Sequence, residues 1–237
     1  MIKRTTMVLA LVLTALLTQA QTFAPGFVGF SVKKTTYITM NDGSEVEGRL
    51  KKLSYKKGLV EEIKIEDAST GKKVKIKPED IKFMYVPPSN MGKLAQKIEA
   101  SNNLSRLIDG ELSSEHLNDG YLYMESSKVQ LKKKTGTYML QLANPTFSAK
   151  IKVYIDPFAK QSAGIGVGGM TLAGGLDKSY YIKKATEDVA QKITKKEYKK
   201  EMALLFAESP ELLAKYNDDP KWSEFEKFIY EYSTSVQ

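Results

Sequence analysis

Residues 36–50, TYITMNDGSEVEGRL, decide the fold class. Thr36–Met40 and Ser44–Leu50 are rich in β-formers and flank Asn41-Asp42-Gly43, the strongest short-range hairpin signal in the chain. The same grammar continues outward. Ile63 and Ile65 alternate with Lys64 and Glu66, Ser69-Thr70-Gly71 turns, and Val74 and Ile76 alternate with Lys73, Lys75 and Lys77. A period of two means one buried face and one wet face. Pro78-Glu79-Asp80 then turns into Ile81, Phe83 and Tyr85, and Pro87-Pro88 stops the run. Five short strands in about 55 residues is the spacing of a small, strongly bent sheet or barrel.

Beyond this β-region the pattern changes twice. Leu94, Ala95, Ile98, Leu104, Leu107 and Ile108 mark a helix candidate over Met91–Ile108, and Asp109–Gly120 is polar and turn-rich. Strand alternation returns at Tyr121–Glu125, Val129–Lys133, Thr137–Leu142 and Lys150–Asp156, with Lys134-Thr135-Gly136 expected as a hairpin turn. The last fifty residues read as three short helices. Thr194 and Glu197 have capping-box spacing, ahead of a Tyr198, Met202, Leu205, Phe206 face. Ser209-Pro210 and Asp219-Pro220 each place proline where a helix starts, and Trp222, Phe225, Ile229 and Tyr232 form a final stripe. Helices this short need a surface to dock on, and the β-region supplies it.

Met1–Gln21 has the three-part plan of a secretory signal: Lys3-Arg4, an apolar run Met7–Leu17, and Thr18-Gln19-Ala20 before a cut at Gln21. A membrane-spanning helix needs about 20 apolar residues, and no segment supplies them. Cutting there removes Lys3 and Arg4 and takes the net charge from +8 to +6. The chain is expected to be exported, to the periplasm, outer membrane or exterior. Without Cys it must be stable without disulfides, which suits a bacterial exported protein.

Composition closes several routes. At 42% hydrophobic and 27% charged the chain is globular rather than disordered. No Cys excludes thiol catalysis and Cys-ligated metals, and one His excludes His-rich metal sites. Gly164-Ile165-Gly166-Val167-Gly168-Gly169 matches G-x-G-x-x-G, but Met170-Thr171-Leu172-Ala173-Gly174-Gly175 is a poor helix start, so it reads as a glycine-rich hairpin or closely packed strand. Ser-x-x-Lys occurs at Ser31/Lys34, Ser54/Lys57 and Ser69/Lys72 at the frequency chance gives in so lysine-rich a chain. His116 lies in a polar loop and reads as a surface residue. No catalytic, cofactor or metal residue is assigned.

The basic clusters remain. Lys51, Lys52, Lys56 and Lys57, with Lys132, Lys133 and Lys134, are candidate contacts to a polyanion such as an anionic glycan or lipid headgroups; Lys195, Lys196, Lys199 and Lys200 form a third cluster. Nucleic acid is not expected, because only Arg49 and Arg106 survive the cut to make bidentate contacts.

The stretch Thr36–Val86, with Ile38, the Asp42-Gly43 turn, Val46, Gly48 and Leu50, resembles the opening of SH3-like small barrels of the Sm-like and PRC-barrel kind. Nothing after Gly48 matches the Sm RNA-pocket signature, so no RNA site is implied. A second string is similar to uncharacterised exported β-rich proteins of Bacteroidetes-type bacteria: Ala143-Asn144-Pro145-Thr146-Phe147, Lys150–Phe158, Gly166–Gly175, Ser179–Lys183 and Ser209-Pro210-Glu211-Leu212. That resemblance implies an envelope location and a β-rich body with a helical tail.

The expected architecture is α+β, mainly β: antiparallel sheets, small barrels or a sandwich, a central helix and a three-helix tail. The expected divisions are a signal peptide 1–20, a small barrel-like module 21–90, a helix and polar linker 91–120, a second β-region 121–184 and a helical tail 185–237. The expected function is a non-catalytic cell-envelope role in binding or assembly, with other envelope proteins as partners. A cationic binder of anionic envelope polymers or membrane surface is one alternative, and a hydrolase without a recognisable motif is the other.

Overall fold

The computed structural model describes residues 23–24, 26, 29–89, 112–159, 165–167, 170–173, 177–217 and 221–235. The signal segment, the helix expected at 91–108, half of the glycine-rich fingerprint (164, 168 and 169) and the Asp219-Pro220 start lie outside the described residues.

The expectation of a mainly β fold holds. β1 (Thr35–Met40), β2 (Glu45–Lys56), β3 (Leu59–Asp67), β4 (Lys73–Ile76), β5 (Ile81–Val86), β6 (Leu122–Leu131), β7 (Lys134–Gln141), β8 (Ile151–Ile155), β11 (Ser179–Lys184) and β12 (Val189–Thr194) form one ten-stranded sheet, and β9 (Ile165–Val167) pairs with β10 (Met170–Ala173) apart from it. β3–β2–β1–β5–β6–β7 is a closed antiparallel barrel of six strands, shut where Val60 meets Met139. The ring therefore closes only with the β6–β7 hairpin, which follows residues 90–111 in sequence. Ile38, Leu50, Ile63, Ile65, Ile81 and Met84 are fully buried in its core. Gly48 marks a tight crossing: a Cβ there would stand 2.3 Å from the carbonyl oxygen of Glu66.

Past the end of β5, the same edge of β6 is taken by β12, running parallel with Val189 opposite Lys128 and Ala190 opposite Val129. β11 and β8 continue antiparallel, and a bridge from Tyr154 to Leu142 returns β8 to the end of β7. The β6–β7 hairpin thus serves two closed arrangements at once. A second core fills the far side, including Tyr85, Tyr123, Val129, Leu140, Tyr154 and Tyr181.

Two hairpin details differ from the sequence expectation. Tyr121–Glu125 and Val129–Lys133 are one continuous strand, because Ser126 and Ser127 keep the ladder opposite Met139 and Tyr138. The turn is Lys132-Lys133, with Lys132 left-handed at φ 54°, and Lys134 already begins β7. Gly136 is instead a strand residue covered by the Tyr138 ring, which a Cβ would approach to 2.9 Å.

The tail docks on the outer face of β8, β11 and β12 as expected. α1 (Ser114–Asn118) precedes β6, and α2 (Tyr198–Leu205), α3 (Pro210–Lys215) and α4 (Phe225–Thr234) follow β12. Thr194 does not open α2. It is the last residue of β12, and its hydroxyl accepts the Glu197 N–H at 3.2 Å to shape the turn before Tyr198. Met202, Phe206, Phe225, Phe228 and Ile229 are fully buried against Ile151, Val153 and Ile182. Burying each such side chain contributes about 1.5–3 kcal/mol. Trp222 stacks on Phe225 at 5.1 Å and its indole N–H donates to the Asp177 carbonyl at 2.9 Å. Among the described residues no helix is long and apolar enough to cross a membrane.

Candidate functional site: a charged cleft beside the barrel

Strand alternation sends β6 side chains to two places. Leu122 and Met124 enter the barrel core, while Tyr123, Glu125 and Ser127 leave it. β8 and β11 split likewise: Ile151, Val153, Tyr180 and Ile182 face the helical tail, so Lys152, Tyr154, Tyr181 and Lys183 face back toward β6. Between them is a cleft of ≈ 490 Å³. β5 contributes Lys82 and Phe83, β6 contributes Tyr123, Glu125, Ser126, Ser127 and Lys128, and Lys152, Lys183 and Asp188 form the opposite wall.

Glu125 is the centre of this cleft and only 6% exposed. Its carboxylate accepts the Lys152 ammonium at 2.7 Å and the Tyr154 hydroxyl, with Tyr123 more distant at 3.4 Å. Burial, and then the Glu125 charge, hold the Tyr154 phenol well above its ordinary range. Phe83 stands 5.5 Å from Tyr123 and edge-on to Tyr85 at 5.8 Å, so its half-buried ring is held as part of the wall.

Lys183 is the anomaly. It sits directly opposite Lys152 in the β11–β8 register, an arrangement in which like charges repel. Among the described residues it makes no hydrogen bond and no close ion pair. Burial pushes its ammonium below the usual lysine range; Glu125 and Asp188 oppose that shift and Lys152 adds to it. A half-buried cation without a close acceptor keeps part of its desolvation cost uncompensated.

The lysines singled out from the sequence do not form this cleft. Lys51 pairs with Glu66 at 3.0 Å, a carboxylate it shares with Arg49, and those two cations hold Glu66 below the usual carboxylate range. Lys56 pairs with Glu61 at 3.5 Å, while Lys52 and Lys57 are exposed. Lys132, Lys133 and Lys134 are exposed at the β6–β7 turn. Because β3 and β7 run antiparallel through Val60 and Met139, the two turns lie at opposite ends of that pair, roughly 30 Å apart along the strands. Lys56 and Lys57 therefore lie apart from Lys132–Lys134, whereas Lys51 and Lys52 sit further along β2, where Lys52 is opposite Lys64 of β3.

His116 is half-buried rather than free on the surface, stacked on Tyr37 at 4.3 Å and tilted against Tyr85 at 4.8 Å. Ser69 donates its hydroxyl proton to Asp67 at 2.6 Å, as a turn residue does. Among the described residues no group of three or more His, Asp or Glu could hold a metal ion.

Sequence reasoning passed over Glu125, Lys152, Lys183, Phe83 and Asp188. The available signal was a lysine at alternate positions of two otherwise apolar strands, Ile-Lys-Val-Tyr-Ile and Tyr-Tyr-Ile-Lys-Lys, which reads equally well as a wet face. Comparison of the chain with known proteins finds no matching family model, no matching curated protein and no matching solved structure.

Proposed function

We propose that this chain is an exported, non-catalytic cell-envelope protein that binds an anionic ligand in the cleft between β6 and the β8–β11 pair. Export rests on the Met1–Gln21 pattern. The observation that carries the binding site is Lys183, half-buried, opposite Lys152 and, among the described residues, without a close acceptor. A ligand carboxylate or phosphate there would add to the partial compensation that Glu125 and Asp188 give Lys183 and relieve its repulsion from Lys152. The cleft has the volume of a small-molecule site rather than that of a surface for long polymers. Other envelope proteins remain the expected macromolecular partners.

The test is shift mapping by NMR of the chain starting at Gln21, titrated with succinate and with inorganic phosphate. The expected response is centred on residues 123–128, 152 and 183. A response confined to residues 51–57 and 132–134 would sink the cleft and return the reading to a surface polyanion contact. Fractionation of a bacterial host should recover a product lacking residues 1–20, and recovery of an intact N-terminus in the cytosol would end the export reading.

A further inference from the structure

We infer that the ligand of this cleft is an acidic sugar, a carboxylate-bearing saccharide of one or two rings, a reading that rests on the anion site proposed above. The lining is not simply cationic. Lys82, Lys128, Lys152 and Lys183 are interleaved with Glu79, Glu125 and Asp188. A compact polyanion entering here would meet three carboxylates as well as four ammonium groups. A ligand that suits both must present one anionic group and several hydrogen-bond donors. Sugar hydroxyls do this, donating to the carboxylates and accepting from the lysines, while the acid group takes Lys183.

The wall supplies the rest of the recognition. Phe83 is braced by Tyr85 and Tyr123, and a fixed aromatic face receives the apolar C–H face of a pyranose. Ser127, Thr137 and Asn41 add neutral polar groups along the same lining. The volume of ≈ 490 Å³ exceeds the roughly 300 Å³ lower bound of small-molecule sites, leaving room for more than one ring.

The experiment is titration calorimetry of the chain starting at Gln21 with digalacturonate, galactobiose, succinate, inorganic phosphate and glycylglutamate. Digalacturonate should bind at least tenfold more tightly than each of the others. Lys183→Gln should weaken it tenfold or more, Phe83→Leu about fivefold, and Lys133→Gln on the distant turn should leave it unchanged. Each variant is first checked for a cooperative melting transition, and the wild-type panel decides the ligand class without any variant. If succinate or phosphate binds as tightly as digalacturonate, the saccharide inference falls and the anion site stands. Preference for glycylglutamate also overturns it, in favour of a zwitterion. If no probe binds, or if Lys133→Gln abolishes binding and Lys183→Gln does not, both the inference and the cleft reading fail.

Discussion

Lys152 and Lys183 are register partners across β8 and β11, yet among the described residues only one has a close acceptor: Lys152 reaches Glu125 at 2.7 Å, and Lys183 reaches no carboxylate within ion-pair distance. The pair should therefore respond in opposite directions to neutralisation. Lys183→Gln removes a repulsion and a half-buried charge, so the free protein should gain stability on the order of 0.5 kcal/mol, a modest figure because water still screens the ammonium. The gain depends on pH. With its folded pKa below the unfolded one, Lys183 costs most at neutral pH, where both states carry the proton. As pH rises toward about 10 the folded state sheds its proton first and the penalty fades. Urea melts at pH 7 and pH 9.5 should show the variant's advantage shrinking; an advantage that grows would contradict this placement of the charge.

Neutralising the other lysine has the reverse sign. Lys152→Met leaves the Glu125 carboxylate buried with hydroxyl partners only, and should cost about 2–3 kcal/mol. Glu125→Gln keeps the shape and can still accept from Lys152 and Tyr154, so it should cost less, about 1 kcal/mol. Equal losses in the two variants would mean that the ion pair contributes no more than its hydrogen bonds.

Two glycines distinguish backbone strain from collision. Gly58 has φ +80° and a Cβ there would enter the Phe158 ring at 2.0 Å, but Phe158 is 67% exposed and has room to move. Gly58→Ala should cost about 1 kcal/mol, mostly from the left-handed backbone. At Gly48 the obstruction is the Glu66 backbone, which cannot yield without opening the β2–β3 ladder. Gly48→Ala should cost about 2–3 kcal/mol, as overpacking does. Adding Phe158→Ala should recover part of the Gly58 loss, and a double mutant no better than the single one would show that the ring is not the obstacle.

The strand content was legible because period-two alternation and the Asp42-Gly43 turn are local signals. The aromatic stripe of α4 was legible for the same reason. What was not legible is which strands close the barrel. Val60 and Met139 meet across about eighty residues of sequence, and no local pattern records that contact. The cleft was hidden by the same limit. Lys152 and Lys183 read as solvated until β6 is placed over them, because alternation says only that two faces differ, not that the second face is covered. The turn at Lys132-Lys133 was missed because a lysine at φ 54° has no glycine to announce it.

Several phenols give the chain an alkaline limit. Burial pushes the Tyr181 and Tyr232 phenols up to about 12, and Tyr154, Tyr198 and Tyr216 are raised as well. Groups with raised folded pKa leave stability intact below about pH 10, where the unfolded chain also keeps its phenolic protons. Above it the unfolded state ionises first, and stability falls by about 1.4 kcal/mol per pH unit for each phenol held neutral. Tyrosinate absorbance should rise in two stages, exposed phenols near pH 10 and the buried set together with loss of far-UV ellipticity. Tyr154→Phe should make that loss less steep.

Phe23 carries the last prediction, because it joins the extreme N-terminal end of the described chain to the helical tail. Its ring is 6% exposed, edge-on to Tyr180 at 5.3 Å and to Phe225 at 5.7 Å, and the next residue, Ala24, donates its N–H to the Ala143 carbonyl at 2.6 Å. The cut expected before Gln21 would leave Phe23 third in the mature chain, close enough to the end that trimming four residues more removes it. A chain starting at Gln21 should melt with full stability. Phe23→Ala should cost about 3–5 kcal/mol, the range for a buried phenylalanine, and Phe23→Leu about 1 kcal/mol, since Leu keeps most of the apolar volume. A chain starting at Pro25 should lose at least as much as Phe23→Ala, because the Ala24 bond goes with the ring. The single Trp222, stacked on Phe225 in the same cluster, reports the transition by fluorescence. A Pro25 chain as stable as the Gln21 chain would show that the tail core closes without this residue, and would remove the reason for the mature end to lie where the signal pattern puts it.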